Sequence, residues 1–256
     1  MYFELKENRP HGTPENPFSQ YHISDVKRAF QIPVHWHDEL EIIYVKQGKL
    51  HVTISGENYI GSPKDAFVVS PGSLHLMGSP TGDADYYTFL FPLEYISFQT
   101  DDLMEKSILS PLKRGRLMIS PQINDTAADI CERLIEINAQ ISGKNAENTD
   151  AANIEAQFET KITLIKFIRK MWRNGLILEN GTNGINTTEK EMITYIWQNY
   201  TREISLKEFG AQFHLSEKYI SRYFKEHFHI TLSQYINHLR LEHARQLLEE
   251  SATSVT

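Results

Sequence analysis

The sequence predicts an α+β fold, in which an N-terminal β-barrel is followed by a helical pair and an all-α C-terminal domain. Residues 20–91 alternate apolar and polar side chains with the period of two that strands require. From about residue 123 apolar residues recur at helical spacing, and from Thr188 onward the chain carries repeated helix-start signals. These changes divide the chain into a barrel (1–120), a helical segment (121–174), a linker (175–187) and a helical domain (188–256).

Composition restricts the class of protein. The chain has 256 residues, 40% of them hydrophobic, and its one cysteine, Cys131, excludes an intramolecular disulfide. It has no apolar stretch near the ~20 residues that span a bilayer, and no signal-peptide pattern at its start. We therefore expect a cytoplasmic protein with no membrane partner. The net charge of −7 argues against indiscriminate binding of polyanions, although a local basic face is compatible with it.

Several short strands are separated by turn residues. "LHVTI" (50–54) alternates its side chains and is followed by "SGEN" (55–58), which predicts a hairpin. "DAFVVSPG" (65–72) is a short apolar strand that ends in a Pro-Gly corner, and "YYTFLF" (86–91) is another strand. Such strands at regular spacing are typical of a small barrel or sandwich.

Two amphipathic helices are predicted after the strands. One interpretation is that the pair covers the barrel, and the other is that an apolar face remains for a second subunit, which would make the segment a dimerisation element. The glycine- and asparagine-rich "NGLILENGTNGINTT" (174–188) that follows is typical of a linker. The repeated apolar positions are Ile130, Leu134, Ile137 and Ile141 in the first helix, and Ile154, Phe158, Ile162, Ile165 and Ile168 in the second.

The C-terminal domain contains a predicted helix-turn-helix. In "SLKEFGAQFHLSEKYISRYFKEHF" (205–228), Phe209 and Gly210 lie on the inner face of a first helix, and Ile220 and Phe224 lie on that of a second. Two short helices joined by a tight turn form this motif, and Ser216 is suited to cap the second helix. Capping boxes, in which a hydroxyl and a side chain three residues later satisfy amide donors, are predicted at Thr188 with Glu191, Ser205 with Glu208, and Thr231 with Gln234.

The outer face of the second helix carries suitable donors for DNA. Arginine and lysine donate to guanine edges or to phosphates, and serine contacts either. An ordinary solvated helix face is the alternative, and the segment from Thr188 onward is not basic overall, so attraction to phosphate has to come from this local face. The predicted DNA-binding residues are Lys218, Tyr219, Ser221, Arg222 and Lys225.

Residues 206–251, with the signatures "LS..YISRYFK" and "YI...RLEHARQLL", resemble the AraC family of bacterial transcription regulators. The resemblance implies a helix-turn-helix, a linker helix from about 232 to 250, and a second helix-turn-helix, which together contact double-stranded DNA. Here "SATSVT" stands where the linker helix would end, which predicts a truncated form that binds DNA weakly or not at all. His229 stands where the family usually has glycine after the recognition helix.

The stretch "PVHWHDELEIIYVKQGKL" (33–50) resembles the first cupin motif, and "DAFVVSPGSLH" (65–75) resembles a looser second one. Regulators of the AraC family often carry such a cupin, or jelly-roll, barrel as the effector-binding domain. The resemblance implies that His35, His37, Glu41 and His75 meet in the barrel. Arg28 and Trp36 are further candidates for the effector site, and Trp36, Tyr44, Tyr87 and Phe89 are candidates to stack on a sugar ring.

The four clustered residues allow three interpretations. Imidazole and carboxylate donors suit a divalent metal such as iron, manganese or nickel, as in enzymatic cupins. The same groups can hydrogen-bond the hydroxyls of a sugar without any metal, or lie idle at the barrel mouth. No cofactor is required under the second interpretation.

We therefore expect a DNA-binding transcriptional regulator, not an enzyme, that acts as a homodimer and is controlled by a small-molecule effector of the carbohydrate class. Two alternatives remain. One is a metal-dependent cupin enzyme, a dioxygenase or isomerase, with a helical appendage. The other is a ligand-binding dimer that has lost DNA binding through truncation.

Overall fold

The computed structural model describes residues 11–24, 30–142, 150–179, 191–192, 195–196, 198–228 and 231–251. Within them the N-terminal part is built from short strands, as the alternation of apolar residues predicts. The strands are β1 (Ser19–Ile23), β2 (Phe30–His35), β3 (Leu40–Gln47), β4 (Leu50–Ile54), β5 (Glu57–Gly61), β6 (Ala66–Val69), β7 (His75–Ser79), β8 (Asp85–Phe91), β9 (Leu117–Ile119), β10 (Gln122–Asn124) and β11 (Ile177–Glu179).

Two antiparallel sheets form the barrel. One has five strands in the order β1-β8-β3-β6-β10, and the other has four in the order β2-β7-β4-β5. The predicted hairpin is the β4–β5 pair, with Ile54 opposite Glu57 across the turn. The non-sequential strand order is that of a jelly roll, which confirms the predicted cupin-like architecture.

Strand alternation separates an inner from an outer face on the five-stranded sheet. Ile43 of β3 is paired with Phe67 of β6, and Val45 is paired with Tyr86 of β8. Paired residues lie on the same side of a sheet, so these apolar side chains fill the space between the two sheets. The inner core comprises Ile43, Val45, Leu50, Val52, Ile54, Phe67, Val69, Met77, Ala84 and Tyr86.

The helices cover the outer face of the five-stranded sheet. Besides the short α1 (Ser110–Lys113) there are two long ones, α2 (Ala128–Ser142) and α3 (Asp150–Arg173). Ile42, Tyr44 and Phe89 on the sheet form one cluster with residues of these helices, which confirms that the pair packs on the barrel. The helix residues buried there include Ile130, Leu134, Leu164, Phe167, Ile168 and Met171.

The predicted apolar face of α3 is divided between two environments. Ile168 is buried against the sheet, whereas Ile154, Phe158 and Ile162 have exposed fractions of 54%, 61% and 43%. Because these three recur every four residues, they form one stripe along the helix, which we call the exposed stripe. An apolar face is therefore left over in addition to the face that covers the barrel.

The predicted linker is only partly irregular. Ile177, Leu178 and Glu179 form strand β11, which pairs antiparallel with β9, so the interpretation of residues 175–187 as a linker is wrong for this portion. Ile177 is β-branched, which favours a strand despite the glycine and asparagine nearby. Residues 180–187 lie outside the described residues, as do Thr188 and His229.

In the C-terminal domain the described residues include the helices α4 (Leu206–Phe213), α5 (Glu217–Phe228) and α6 (Leu232–Ser251), and residues 191–192, 195–196 and 198–199 are also helical. Two of the predicted caps are at the expected places: the amide of Glu208 donates to Ser205 Oγ at 3.1 Å, and that of Tyr219 donates to Ser216 Oγ at 3.2 Å. Thr231 and Gln234 form a full capping box, with bonds of 3.2 and 2.9 Å in the two directions. Among the described residues, no helix is both long enough and apolar enough to cross a membrane.

Candidate effector site and nucleic-acid interface

Three histidines meet inside the barrel. His35, the last residue of β2, lies opposite His75, the first residue of β7, and His37 follows shortly after β2. One ligand nitrogen from each lies within 4.8 Å of the others. Glu41 enters from β3 in the facing sheet, and its Oε2 lies 3.4 Å from His37 Nε2 and 3.1 Å from His75 Nε2. The structure thus brings together the four residues that the cupin resemblance implies.

Glu41 is held as a carboxylate although it is buried. Burial by itself raises its pKa, but the imidazoles of His37 and His75, whose Nε2 atoms face the carboxylate, lower the pKa by more. The net result is a pKa well below the usual range of a glutamate. Glu41 therefore presents a carboxylate to the imidazoles, and a carboxylate favours a cation or a hydrogen-bond donor beside it.

The rings of the three histidines in the cluster are oriented by the same type of hydrogen bond. Nδ1 of each ring donates to a main-chain carbonyl two residues away, at 2.8–3.1 Å. Because a carbonyl oxygen can only accept, Nδ1 carries the proton, and Nε2 of the neutral ring is the atom with a lone pair. This is the arrangement that metal-ligating histidines normally have, so the residues fit a divalent ion. The rings of His35, His37 and His75 donate to the carbonyls of Pro33, Glu39 and Ser73, respectively.

Two residues near the cluster were missed by the sequence reasoning. His11 is 8% exposed, its ring centroid lies 5.7 Å from that of His37, and its Nδ1 lies 3.0 Å from the hydroxyl of Tyr21. No local pattern marks His11. Tyr86 is fully buried, and burial together with the charge of Glu41 raises its pKa. Alternation in β8 separates Tyr86 from Tyr87 and Phe89, but alternation alone does not tell which of the two faces is the inner one.

The prediction that aromatic side chains stack on a sugar ring in the barrel is wrong for Tyr44, Tyr87 and Phe89. Tyr44, Tyr87 and Phe89 lie on the outer face of the five-stranded sheet and pack against the cluster formed with the helices. They alternate with the inward residues of the same strands, so they cannot stack on a molecule in the barrel. Trp36 packs against the hydrophobic cluster of the C-terminal domain. Arg28 lies outside the described residues.

The helix-turn-helix has the close helix crossing that its sequence predicts. A Cβ on Gly210 of α4 would lie 2.5 Å from the carbonyl oxygen of Leu215 and 3.4 Å from Cδ1 of Ile220. The turn runs through His214, which has a φ of 56°. Phe209, Ile220 and Phe224 are fully buried between the helices. Glycine is therefore required where the turn passes over α4.

The opposite face of α5 is open. Lys218, Tyr219, Arg222 and Lys225 are exposed, and Ser221 is half-buried. The guanidinium of Arg222 lies 5.7 Å from the ring centroid of Tyr219, and its ion pair with Glu226, at 3.9 Å, is solvated on both sides. All five predicted DNA-binding residues thus lie along one helix whose other face is fixed in the core, which is the geometry of a recognition helix.

Family models match most of the described chain. Residues 17–156 match the AraC-like ligand-binding domain, and residues 209–256 match a helix-turn-helix domain. An uncharacterised helix-turn-helix transcriptional regulator of Bacillus subtilis, YdeC, is 25% identical over 98% of this chain and 85% of its own length.

Two further proteins are similar. The transcriptional activator RhaS of Klebsiella pneumoniae is 25% identical over 88% of this chain and 76% of its own length. The crystal structure of an RmlC-like cupin from Shewanella frigidimarina is 25% identical over 29% of this chain and 66% of its own, with a TM-score of 0.28. With the ligand-binding model covering more than half of its length, the chain belongs to the AraC family of DNA-binding transcriptional regulators.

Proposed function

We propose that this regulator binds a small, hydroxyl-rich effector, of the carbohydrate class, at the cluster of His35, His37, Glu41 and His75. The cluster supports the proposal because it combines proton acceptors on imidazole with a carboxylate at the centre of a closed barrel. Such groups are suited to the directional hydrogen bonds of sugar hydroxyls. We further propose that the protein acts in the cytoplasm, as a regulator and not as an enzyme.

A divalent metal ion is a second candidate for the same cluster. The observation that favours it is the shared Nδ1-to-carbonyl bond of the three histidines, which directs the Nε2 side of each ring toward the others. A bound ion would act as a Lewis acid that holds an oxygen of the effector. His35, His37 and His75 would hold it, with Glu41 as the charged fourth ligand.

One experiment tests both candidate ligands, the sugar and the metal ion, at the same cluster. Wild-type protein, His75→Ala and the matched control His51→Ala are dialysed against Ni²⁺ or Mn²⁺ and analysed for bound metal, and the same proteins are screened against sugars by thermal shift. His51 is exposed on β4, away from the cluster. We expect binding to be lost only in His75→Ala, because ligands that bind the native state raise its stability. If His75→Ala binds sugars and metals as the wild type does, the cluster is not the effector site.

We also propose that the exposed stripe of Ile154, Phe158 and Ile162 forms the contact between two copies of the chain. Three large apolar residues in one row on a helix are a feature of interaction surfaces. Phe158→Asp should convert a dimer to a monomer in light scattering, whereas Leu103→Asp, at a position 81% exposed outside the stripe, should not. A dimer that survives Phe158→Asp would contradict this assignment.

A further inference from the structure

The C-terminal domain and the barrel share one hydrophobic cluster. Val34, Leu74 and Leu76 of the barrel are 2%, 5% and 8% exposed. They belong to the same cluster as the core of the helix-turn-helix, and Trp36 packs against it. The contact is stabilised because apolar side chains of both domains are removed from water in it. The members from the C-terminal domain include Ile196, Phe209, Ile220, Phe224, Tyr235, Ile236 and Leu239.

A hydrogen bond crosses the same contact. The hydroxyl of Tyr235 on α6 donates to the main-chain carbonyl of Val34 at 3.3 Å, and the two residues are 2% exposed each. A hydrogen bond between buried groups fixes their relative position, because breaking it inside an apolar contact leaves both unsatisfied. Helix α6 is thus attached at a defined point of strand β2.

That point is next to the histidine cluster. Val34 directly precedes His35, and Leu74 directly precedes His75. Because neighbouring residues of an extended chain point to opposite sides, the backbone that directs the two histidines into the barrel directs Val34 and Leu74 outward to the helices. The pairing of β2 with β7 is irregular between Ile32 and His35, so the hydrogen-bonded ladder is locally interrupted beside Val34.

Docking leaves the predicted recognition face open. Lys218, Arg222 and Lys225 stay exposed while Ile220 and Phe224, on the other face of α5, belong to the shared cluster. In the docked arrangement these three basic side chains are accessible to solvent. The contact fixes the orientation of α5 relative to the barrel.

We propose that the C-terminal domain docks on the outer wall of the histidine cluster through Tyr235, Val34 and Leu74, and that this contact couples occupancy of the cluster to DNA binding. The docked arrangement is the DNA-competent state, and a ligand that shifts the strands carrying His35 and His75 changes its population. The regulatory part rests on the proposed function, whereas the docking itself does not.

Hydrogen exchange of the full chain, read by mass spectrometry, tests the docking without any ligand. Leu74→Asp places a charge in the contact, and the control Ile60→Asp places one on an exposed position of β5. We expect amides of residues 232–239 to exchange roughly tenfold faster in Leu74→Asp, since the loss of one buried leucine corresponds to a factor of ten or more. Ile60→Asp should match the wild type.

A second, milder variant tests the docking in case Leu74→Asp misfolds the barrel. Tyr235→Phe keeps the ring and removes the hydroxyl that bonds Val34, so exchange in residues 34–37 and 74–77 should accelerate while the rest of the barrel is unchanged. Unaltered exchange on both sides of the contact, in Tyr235→Phe and in Leu74→Asp, would overturn the docking.

The coupling is tested with Ni²⁺ as the probe. Binding of Ni²⁺ to wild-type protein should change the exchange rate of residues 232–239 by about fivefold or more, and this change should disappear in Leu74→Asp. Ni²⁺ uptake that leaves residues 232–239 unaffected, or a response that persists in Leu74→Asp, would overturn the coupling. If the protein takes up no Ni²⁺, the metal proposal and its coupling to DNA binding are both contradicted. The exchange rates of the ligand-free variants then still test whether the C-terminal domain docks on the barrel.

Discussion

Replacing Gly210 by alanine sets two physical effects of opposite sign against each other. Gly210 lies within α4, where alanine is favoured over glycine by about 1 kcal/mol of helix propensity. An alanine Cβ, however, would lie 2.5 Å from the carbonyl oxygen of Leu215, a distance that real Cβ atoms essentially never show. That oxygen belongs to the backbone, and the amide of the same residue donates to the Gly210 carbonyl at 2.9 Å, so the turn cannot move away freely.

We expect the clash to win. Overpacking of a tight contact costs about 1–3 kcal/mol, and a clash with a backbone oxygen belongs in the upper part of that range. After the gain of about 1 kcal/mol in propensity, Gly210→Ala should therefore lose about 1–2 kcal/mol of stability. Native-state hydrogen exchange of α4 and α5 measures this local free energy. Ala211→Gly, at an exposed position of the same helix, is the matched control and should lose about 1 kcal/mol from propensity alone. A Gly210→Ala protein as stable as the wild type, or more stable, would refute the close crossing of the two helices.

Three further predictions follow from burial and exposure. The Cys131 thiol, whose pKa is raised chiefly by burial, should react with a thiol reagent at neutral pH only as the protein unfolds, and rapid labelling of native protein would contradict its position. Phe224→Ala should cost about 3–5 kcal/mol in urea unfolding of the C-terminal domain, since the ring is fully buried, and a cost below about 1 kcal/mol would be inconsistent with that burial. Asp129→Ala should change stability by less than about 1 kcal/mol, because its ion pair with Lys170 is solvated; a larger loss in the same assay would argue against this view.

Features determined by local chemistry are predictable from the amino-acid sequence. The caps at Ser205, Ser216 and Thr231 depend on residues a few positions apart, and all three form. The inward faces of α4 and α5 follow from helical spacing, and Gly210 follows from the need for close approach. The cupin resemblance, rather than the spacing itself, implied that the four cluster residues meet, and they do lie together.

Side-chain placement that depends on tertiary contacts is not predictable from the sequence in the same way. The rings of Tyr44, Tyr87 and Phe89 point outward because α2 and α3 cover that face, and nothing in a strand alone tells which of its two faces will be inside. His11 reaches the cluster from a segment without any periodic pattern. The contact between Tyr235 and Val34 joins residues far apart in the chain, and its apolar members read as ordinary core positions of their own domains.

The central claim, that the open face of α5 binds DNA, is tested most directly by fluorescence anisotropy with a duplex from the region upstream of the protein's own coding sequence. Arg222→Ala is compared with Arg169→Ala, which removes the same charge from an exposed position of α3. If Arg222 contacts a base or a phosphate, its loss should weaken binding about tenfold or more, since such contacts contribute roughly 1–3 kcal/mol, while Arg169→Ala should bind as the wild type does. Equal affinities of the two variants and the wild type would contradict the account.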